Sequence, residues 1–139
     1  MIPKTNRLRN HADYQRVYKA SRKQFGKPAA YFFLLRTQPV ESAARNPGAR
    51  IGLTVGKVMG KSVDRNCIKR RMRAAVGNHL SLLTAPVDVV LHPKRSVIDW
   101  DFPALNREVA AILSTIQRAA ERQLASPRAD RGASESKAQ

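Results

Sequence analysis

Apolar positions recur along this chain with two different periods, and each change of period marks an element. In residues 11–20, HADYQRVYKA, Tyr14, Val17 and Tyr18 stand at i, i+3 and i+4. That spacing gathers them on one face of a short helix, with Arg16 and Lys19 off it. Residues 31–35, YFFLL, follow a connection containing Gly26 and Pro28 and read as a strand. Alternation puts Tyr31, Phe33 and Leu35 on one face and Phe32 and Leu34 on the other. Both faces are apolar, so the second is either covered or a binding platform. Residues 51–55 read as the next strand, with Ile51, Leu53 and Val55 on one face. Gly52 and Thr54, continued by Gly56, leave the other face almost without bulk. Such a face marks a close backbone approach, a bulge, or packing against a helix. Residues 38–50, with Pro39, Pro47 and Gly48, are expected to form a long, mobile hairpin loop between these strands.

From residue 63 the period turns helical. Ile68, Met72, Ala75 and Val76 fall within an arc of about 100°, and Asn66, Lys69, Arg70 and Arg73 within a second arc of about 100° centred well away from it. Ser62 is the expected N-cap, and the helix is expected to end near residues 78–80. Residues 87–91, VDVVL, predict another strand, stopped by His92-Pro93-Lys94-Arg95. Asp101 or Phe102 would cap a last helix with Pro103 in its first turn. Leu105, Val109, Ile112, Leu113, Ile116 and Ala120 form its core stripe, with Arg107, Gln117, Arg118 and Glu121 outside. With a further short strand near residues 22–27, the order predicts an α/β (α+β) two-layer sandwich: about four strands and three helices, with helices on at least one face. Residues 1–10 are a basic arm, 11–125 a single domain, and 126–139 a tail whose Ser, Ala, Gly and charge predict disorder.

Charge sharpens this picture. The chain carries 26 Lys+Arg against 10 Asp+Glu, a formal net charge of +16. The excess is concentrated. Residues 1–27 hold eight basic residues and one acid, and residues 57–73 hold seven and one. Two cationic segments on an otherwise near-balanced domain point to nucleic acid. Residues 63–80 contain no Trp, Phe or Tyr, which argues against a membrane-surface helix. No apolar run reaches membrane-spanning length, and the first ten residues lack the apolar stretch of a secretory signal.

The chemistry available is that of binding. Cys67, the single cysteine, excludes an internal disulfide and suits a reducing cytoplasm. It reads as a small neutral filler, with no His within helical reach. His11, His79 and His92 are scattered and offer no metal-ligand spacing with it. Asp13, Asp64 and Asp88 stand isolated in sequence, and Asp99 and Asp101 sit where a helix cap is the simpler role. No catalytic or metal-ligating residues emerge. Arg65, Lys69, Arg70 and Arg73 are the expected phosphate contacts, and Asn66 can both donate and accept. Tyr14 and Tyr18 are either half-buried core residues or rings that stack on bases, and the two roles can coexist.

Arg65-Asn66-Cys67-Ile68-Lys69-Arg70, preceded by Gly60 and Val63, resembles the Arg-Asn-Arg-x-Lys-Arg signature of the bacterial ribonuclease P protein family. Cys67 stands where that family usually has its second arginine. Asn6-Arg7-Leu8-Arg9, then Asp13-Tyr14 and Val17-Tyr18, is similar to the family's basic arm and Leu-x-x-x-x-x-Phe-x-x-Val-Phe helix, with tyrosines for phenylalanines. Arg50 to Lys57, RIGLTVGK, resembles the strand that enters the signature helix. The resemblance spans residues 3 to about 122. It implies a left-handed crossover between the parallel strands flanking the basic helix, where handedness rules alone predict the right-handed form.

It also implies a role. Such proteins join a catalytic RNA that removes the 5′ leader of precursor tRNA by Mg²⁺-dependent hydrolysis, so the partners are that RNA and precursor tRNA. Mg²⁺ would be held mainly by the RNA. The chain itself would be a non-catalytic subunit, cytoplasmic, without a membrane or an obligate protein partner. Carried over by position, Arg65, Asn66, Lys69, Arg70, Arg73, Arg7 and Arg9 would face the catalytic RNA. Tyr14, Tyr18, Phe32, Leu34 and Lys57 would line a leader-binding cleft. Arg71, one helical turn from Cys67, would offset the missing guanidinium. The same charge and strands would also suit a ribosomal protein, another structural RNA-binding protein or an RNA chaperone; a stand-alone nuclease and a DNA-binding protein are the remaining alternatives.

Overall fold

A computed structural model describes residues 2, 6–36 and 48–125. The expected loop at 38–50 falls largely outside these residues, and the tail at 126–139 lies wholly outside them. The helices are α1 (His11–Ala20), α2 (Ser62–His79) and α3 (Phe102–Ala125). The strands are β1 (Gln24–Phe25), β2 (Ala29–Leu35), β3 (Arg50–Leu53) and β4 (Val87–Pro93), in the sheet order β1-β2-β4-β3. β2 is antiparallel to β1 and β4, whereas β3 runs parallel to β4.

The expected hairpin between β2 and β3 does not form, because β4 lies between them. The residues of β4 explain its place. Val87, Val89, Val90 and Leu91 are essentially inaccessible, so the strand is covered on both faces and belongs in the sheet interior. β3 starts one residue earlier and ends two residues earlier than expected, although Thr54 still donates its N–H to Leu91 O at 2.9 Å. β4 is two residues longer, since Pro93 can end a ladder opposite Ala29 without a donor of its own.

The two-residue period divides the side chains of the sheet. Tyr31, Phe33, Leu35, Ile51, Leu53, Val87, Val89 and Leu91 pack with the buried stripes of α2 and α3 into the main core. Ile68, Met72, Ala75 and Val76 of α2 are all fully buried, as are Leu105, Leu113, Ile116 and Ala120 of α3. On the opposite face Val90 packs with Leu8 and Val17, flanked by Tyr14, Tyr18, Phe32 and Leu34. Helices therefore cover both faces, and α1 adds a partial third layer. Gly52 is bare because of this helix. A Cβ there would lie 2.4 Å from the Tyr14 hydroxyl, so packing against a helix is the reading that holds.

The N-cap of α2 is Lys61, not Ser62, and it makes no side-chain capping bond. Gly60 explains the shift. At φ 122° it turns the chain sharply, which leaves Lys61 extended and Ser62 already helical. Asp64 in the first turn opposes the helix dipole and pairs with Arg95 at 3.3 Å.

Asp13 and Asp88, isolated in sequence, meet beneath α1. Asp88 is 0% exposed and lies opposite both Leu34 and Arg50 in the sheet. Arg50 grips it bidentately, with Nε to Oδ1 at 2.9 Å and Nη2 to Oδ2 at 2.8 Å, and its Nη1 reaches Asp13 Oδ2 at 3.2 Å. Arg36 also pairs with Asp88, and Arg16 pairs with Asp13. Burial would lower the Arg50 pKa, but the hydrogen bonds and charge of Asp88, then those of Asp13, outweigh it and hold the value above the ordinary one. Removing one partner strands buried charge. Asp88→Asn weakens the shared carboxylate of Arg50 and Arg36 and should lower unfolding free energy in urea by about 3–5 kcal/mol. A joint Arg50→Met, Asp88→Leu replacement still takes a charged partner from Arg36 and from Asp13, so it should not restore stability; a much smaller loss in the double variant would show that Arg50 and Asp88 act as an isolated pair.

Candidate nucleic-acid interface

The rotation of α2 about its axis is set by its buried stripe, and that rotation decides where its cations go. With Ile68, Met72, Ala75 and Val76 inward, Asn66, Arg70 and Arg73 are exposed, and Arg65 and Lys69 are partly so. Cys67 is partly exposed beside them. Arg71 does not join this surface. Its Nε donates to Val97 O at 3.0 Å, its Nη2 donates to Trp100 O, and its guanidinium lies 5.8 Å from the centroid of the Phe102 ring. It clamps α2 to the entry of α3, so the expectation that Arg71 offsets the guanidinium missing at Cys67 is not met.

The arm is tied to the edge of β3. Arg7 bridges Ile51 in parallel register, and Leu8 donates its N–H to Ile51 O at 2.9 Å. Asn6 Nδ2 donates to Ala49 O at 2.8 Å, and the Tyr14 hydroxyl donates to Leu8 O at 3.2 Å. Fixed in this way, Arg7 and Arg9 of the arm line a cavity of about 250 Å³ together with Tyr14, Gly52 and Arg73 of α2. Two cationic segments far apart in sequence thus converge on one concavity, with an α1 ring in its wall.

An aromatic surface lies between α1 and the sheet. The Tyr18 ring centroid lies 6.5 Å from that of Tyr14 and 5.0 Å from that of Phe32, the latter pair at a steep 77°. His92 completes the group, 5.8 Å from Tyr18 and 5.5 Å from Phe32, and its Nε2 lies 3.0 Å from the Tyr18 hydroxyl. Burial, then the charge of Tyr18, pushes the Tyr14 pKa up. Burial, then the charge of Lys23, pushes the His92 pKa down. Leu34 is partly buried in the same cluster, in register with Asp88. Lys57 is exposed in a one-turn 3-10 segment, Lys57–Met59, beyond the end of β3 that lies beside Leu91.

His92, scattered from the other histidines in sequence, joins this group through its strand. The signal was there: two residues after Val90 in an extended strand, its ring must share the face of Val90 and Asp88. The surface offers cations and π faces, the groups that hold phosphates and bases. Among the described residues no group of three or more His, Cys, Asp or Glu is placed to hold a metal ion, and no helix is long and apolar enough to cross a membrane.

A family model described as Ribonuclease P matches residues 2–117. The ribonuclease P protein component of Streptomyces bikiniensis is 32% identical over 118 residues, covering 84% of this chain and 95% of the relative. That of Helicobacter acinonychis is 31% identical, covering 79% and 77%. Among solved structures, an RNase P protein mutant from Staphylococcus aureus superposes with a TM-score of 0.67 at 23% identity, covering 82% of this chain and 90% of that one. The RNase P protein from Thermotoga maritima gives 0.64 at 19%, covering 78% and 96%. At these identities the superpositions show the fold.

Arg70 and Arg71 are neighbours in sequence with opposite structural duties. Arg71→Ala should lower stability by about 1–3 kcal/mol, through two lost charge-assisted bonds and the ring contact. Arg70→Ala, on the exposed face, should stay within about 0.5 kcal/mol of the parent. Urea midpoints of the two variants check this, and equal losses would refute the division.

Proposed function

The chain belongs to the ribonuclease P protein family, and from that premise we propose that it binds the catalytic RNA and the 5′ leader of precursor tRNA. The observation that carries this reading is the shared cavity of Arg7, Arg9, Arg73 and Tyr14, which joins the basic surface to the aromatic one. Arg65, Asn66, Lys69, Arg70 and Arg73, with Arg7 and Arg9, take phosphates of the catalytic RNA. Each neutralised phosphate releases counterion, which makes the association strong at low salt and steeply salt-dependent. Tyr14, Tyr18, Phe32 and Leu34 take the single-stranded leader, with Lys57 at the end of the sheet for its backbone. A base stacked on an aromatic ring contributes about 1–3 kcal/mol. Leu34 offers apolar contact in place of stacking.

Hydrolysis is the work of the RNA. The buried carboxylates Asp13 and Asp88 are engaged by arginines, so they are poor candidates to hold a cation, and Mg²⁺ is assigned to the RNA. The Mg²⁺ would supply Lewis-acid chemistry at the scissile phosphate. The role of the protein is electrostatic and positional: its cations offset repulsion between RNA segments and so lower the Mg²⁺ that the complex requires. The same reading has the complex acting in the cytoplasm.

Reconstitution tests it. At low Mg²⁺, adding the protein to the catalytic RNA should switch on cleavage of precursor tRNA; no stimulation would overturn the proposal. Removing both Lys69 and Arg70 by alanine should flatten the slope of log affinity against log salt by about 1.4–1.8, and Cys67→Arg should steepen it by up to about 0.9. An unchanged slope in the double variant would place the RNA on another surface.

A further inference from the structure

His92 has a place in the aromatic surface that the leader-binding reading does not use. Its ring is partly exposed and held between Tyr18 and Phe32. One nitrogen, Nε2, is engaged by the Tyr18 hydroxyl at 3.0 Å. Among the described residues Nδ1 has no hydrogen-bond partner. A phenol is a stronger acid than a neutral imidazole N–H, so Tyr18 donates and the ring proton sits on Nδ1. The result is an oriented donor beside two rings, its orientation fixed by the Tyr18 hydroxyl on the other nitrogen. The charged and titratable groups facing it are that hydroxyl, from α1, and the Lys23 ammonium, from the segment between α1 and β1. Lys23 also lies 5.7 Å from the centroid of the exposed Phe25 ring on the edge strand β1.

We propose that His92, with Tyr18 and Lys23, forms a nucleotide subsite at the β1 side of the cleft, for one unpaired nucleotide of single-stranded RNA. The base stacks against Phe32 and Tyr18. The imidazole Nδ1–H donates to an oxygen of that nucleotide, and Lys23 attracts its phosphate. The proposal rests on the leader-binding reading and adds to it a hydrogen-bonding residue that distinguishes this cleft from a purely apolar one. Burial and Lys23 keep the imidazole neutral at pH 7. Protonation at lower pH would place a second positive charge next to the nucleotide, so binding there tightens as pH falls.

The test uses the assembled holoenzyme and measures affinity for two precursor tRNAs, one with a leader long enough to cross the cleft and one with a single-nucleotide leader. His92→Phe keeps the ring and removes the nitrogens. It should weaken the long-leader substrate about 3- to 10-fold and leave the short-leader substrate unchanged. The parent should bind the long leader progressively more tightly as pH is lowered below the ordinary histidine value of 6.5, and the variant should lose that dependence. Lys23→Ala should weaken the same substrate selectively. Phe32→Ala serves as the reference for the leader reading itself. If Phe32→Ala weakens only the long-leader substrate while His92→Phe matches the parent throughout that pH range, the subsite is wrong and the cleft stands. If His92→Phe weakens both substrates equally, its role is structural and the subsite is again wrong. If Phe32→Ala does not distinguish the leaders, the cleft reading fails, and the subsite with it.

Discussion

The buried ion cluster of Asp13, Arg50 and Asp88 is the constraint on which the functional face depends. Helix α1 has ten residues, and Val17 is its only fully buried hydrophobic side chain. Burying one valine contributes roughly 1.5–3 kcal/mol, and fixing a residue's backbone costs about 1–2 kcal/mol. Apolar contact alone therefore leaves the position of α1 weakly determined. The arginine fork on β3 reaches both the helix and the central strand, and its geometry allows one arrangement of the three. A buried ion group of this kind is seldom more stabilising than a well-packed apolar one. What it contributes here is placement, and the placement has a consequence. Because polar groups hold the first turn of α1, its tyrosines need not sink into a core, and both stay partly open above Phe32.

The two sheet faces divide the work. One carries the main core with α2 and α3, and the other carries the ion cluster and the rings. β4 serves both, which is why its side chains are apolar almost throughout with a single aspartate among them. The arm closes the open edge of β3 and brings its cations round to the basic helix. An edge strand left bare would invite pairing with another chain. Covering that edge with a basic segment solves this and extends the basic surface in one step.

The helices were legible in the sequence because a 3.6-residue period is a local property. The buried stripes of α2 and α3 appear residue for residue, and α1 has the expected bounds. Strand partners are not local: period two assigns faces but cannot say that residues 87–93 insert between two earlier strands. The charged aspartate inside VDVVL was a signal, since a carboxylate in a strand buried on both faces needs a partner, but nothing in the sequence names Arg50 as that partner. Arg71 shows a different limit. An angular position on a helix describes a Cβ, whereas a guanidinium on a long stem can turn back to carbonyls on a neighbouring segment. His92 was lost to a strand boundary set two residues short at Pro93. The proposal of a leader cleft came from the family resemblance, since rings at helical spacing are equally at home in a core.

Helix α2 concentrates the conflict between fold and interface. Arg65, Lys69 and Arg73 follow one another at i, i+4 spacing, and each like-charge pair disfavours the helix by about 0.2–0.5 kcal/mol. Against this stand Ile68, Met72 and Val76, fully buried and worth roughly 1.5–3 kcal/mol each. Burial wins by several-fold, so the cations can be kept without a polyanion present. Asp64 and Arg71 reinforce the same outcome from the two sides of the helix, one by pairing with Arg95 and the other by leaving the cationic face for the carbonyls of Val97 and Trp100. The backbone that carries the basic face is therefore fixed by the core beneath it, so a polyanion meeting this face would have only the exposed side chains left to order.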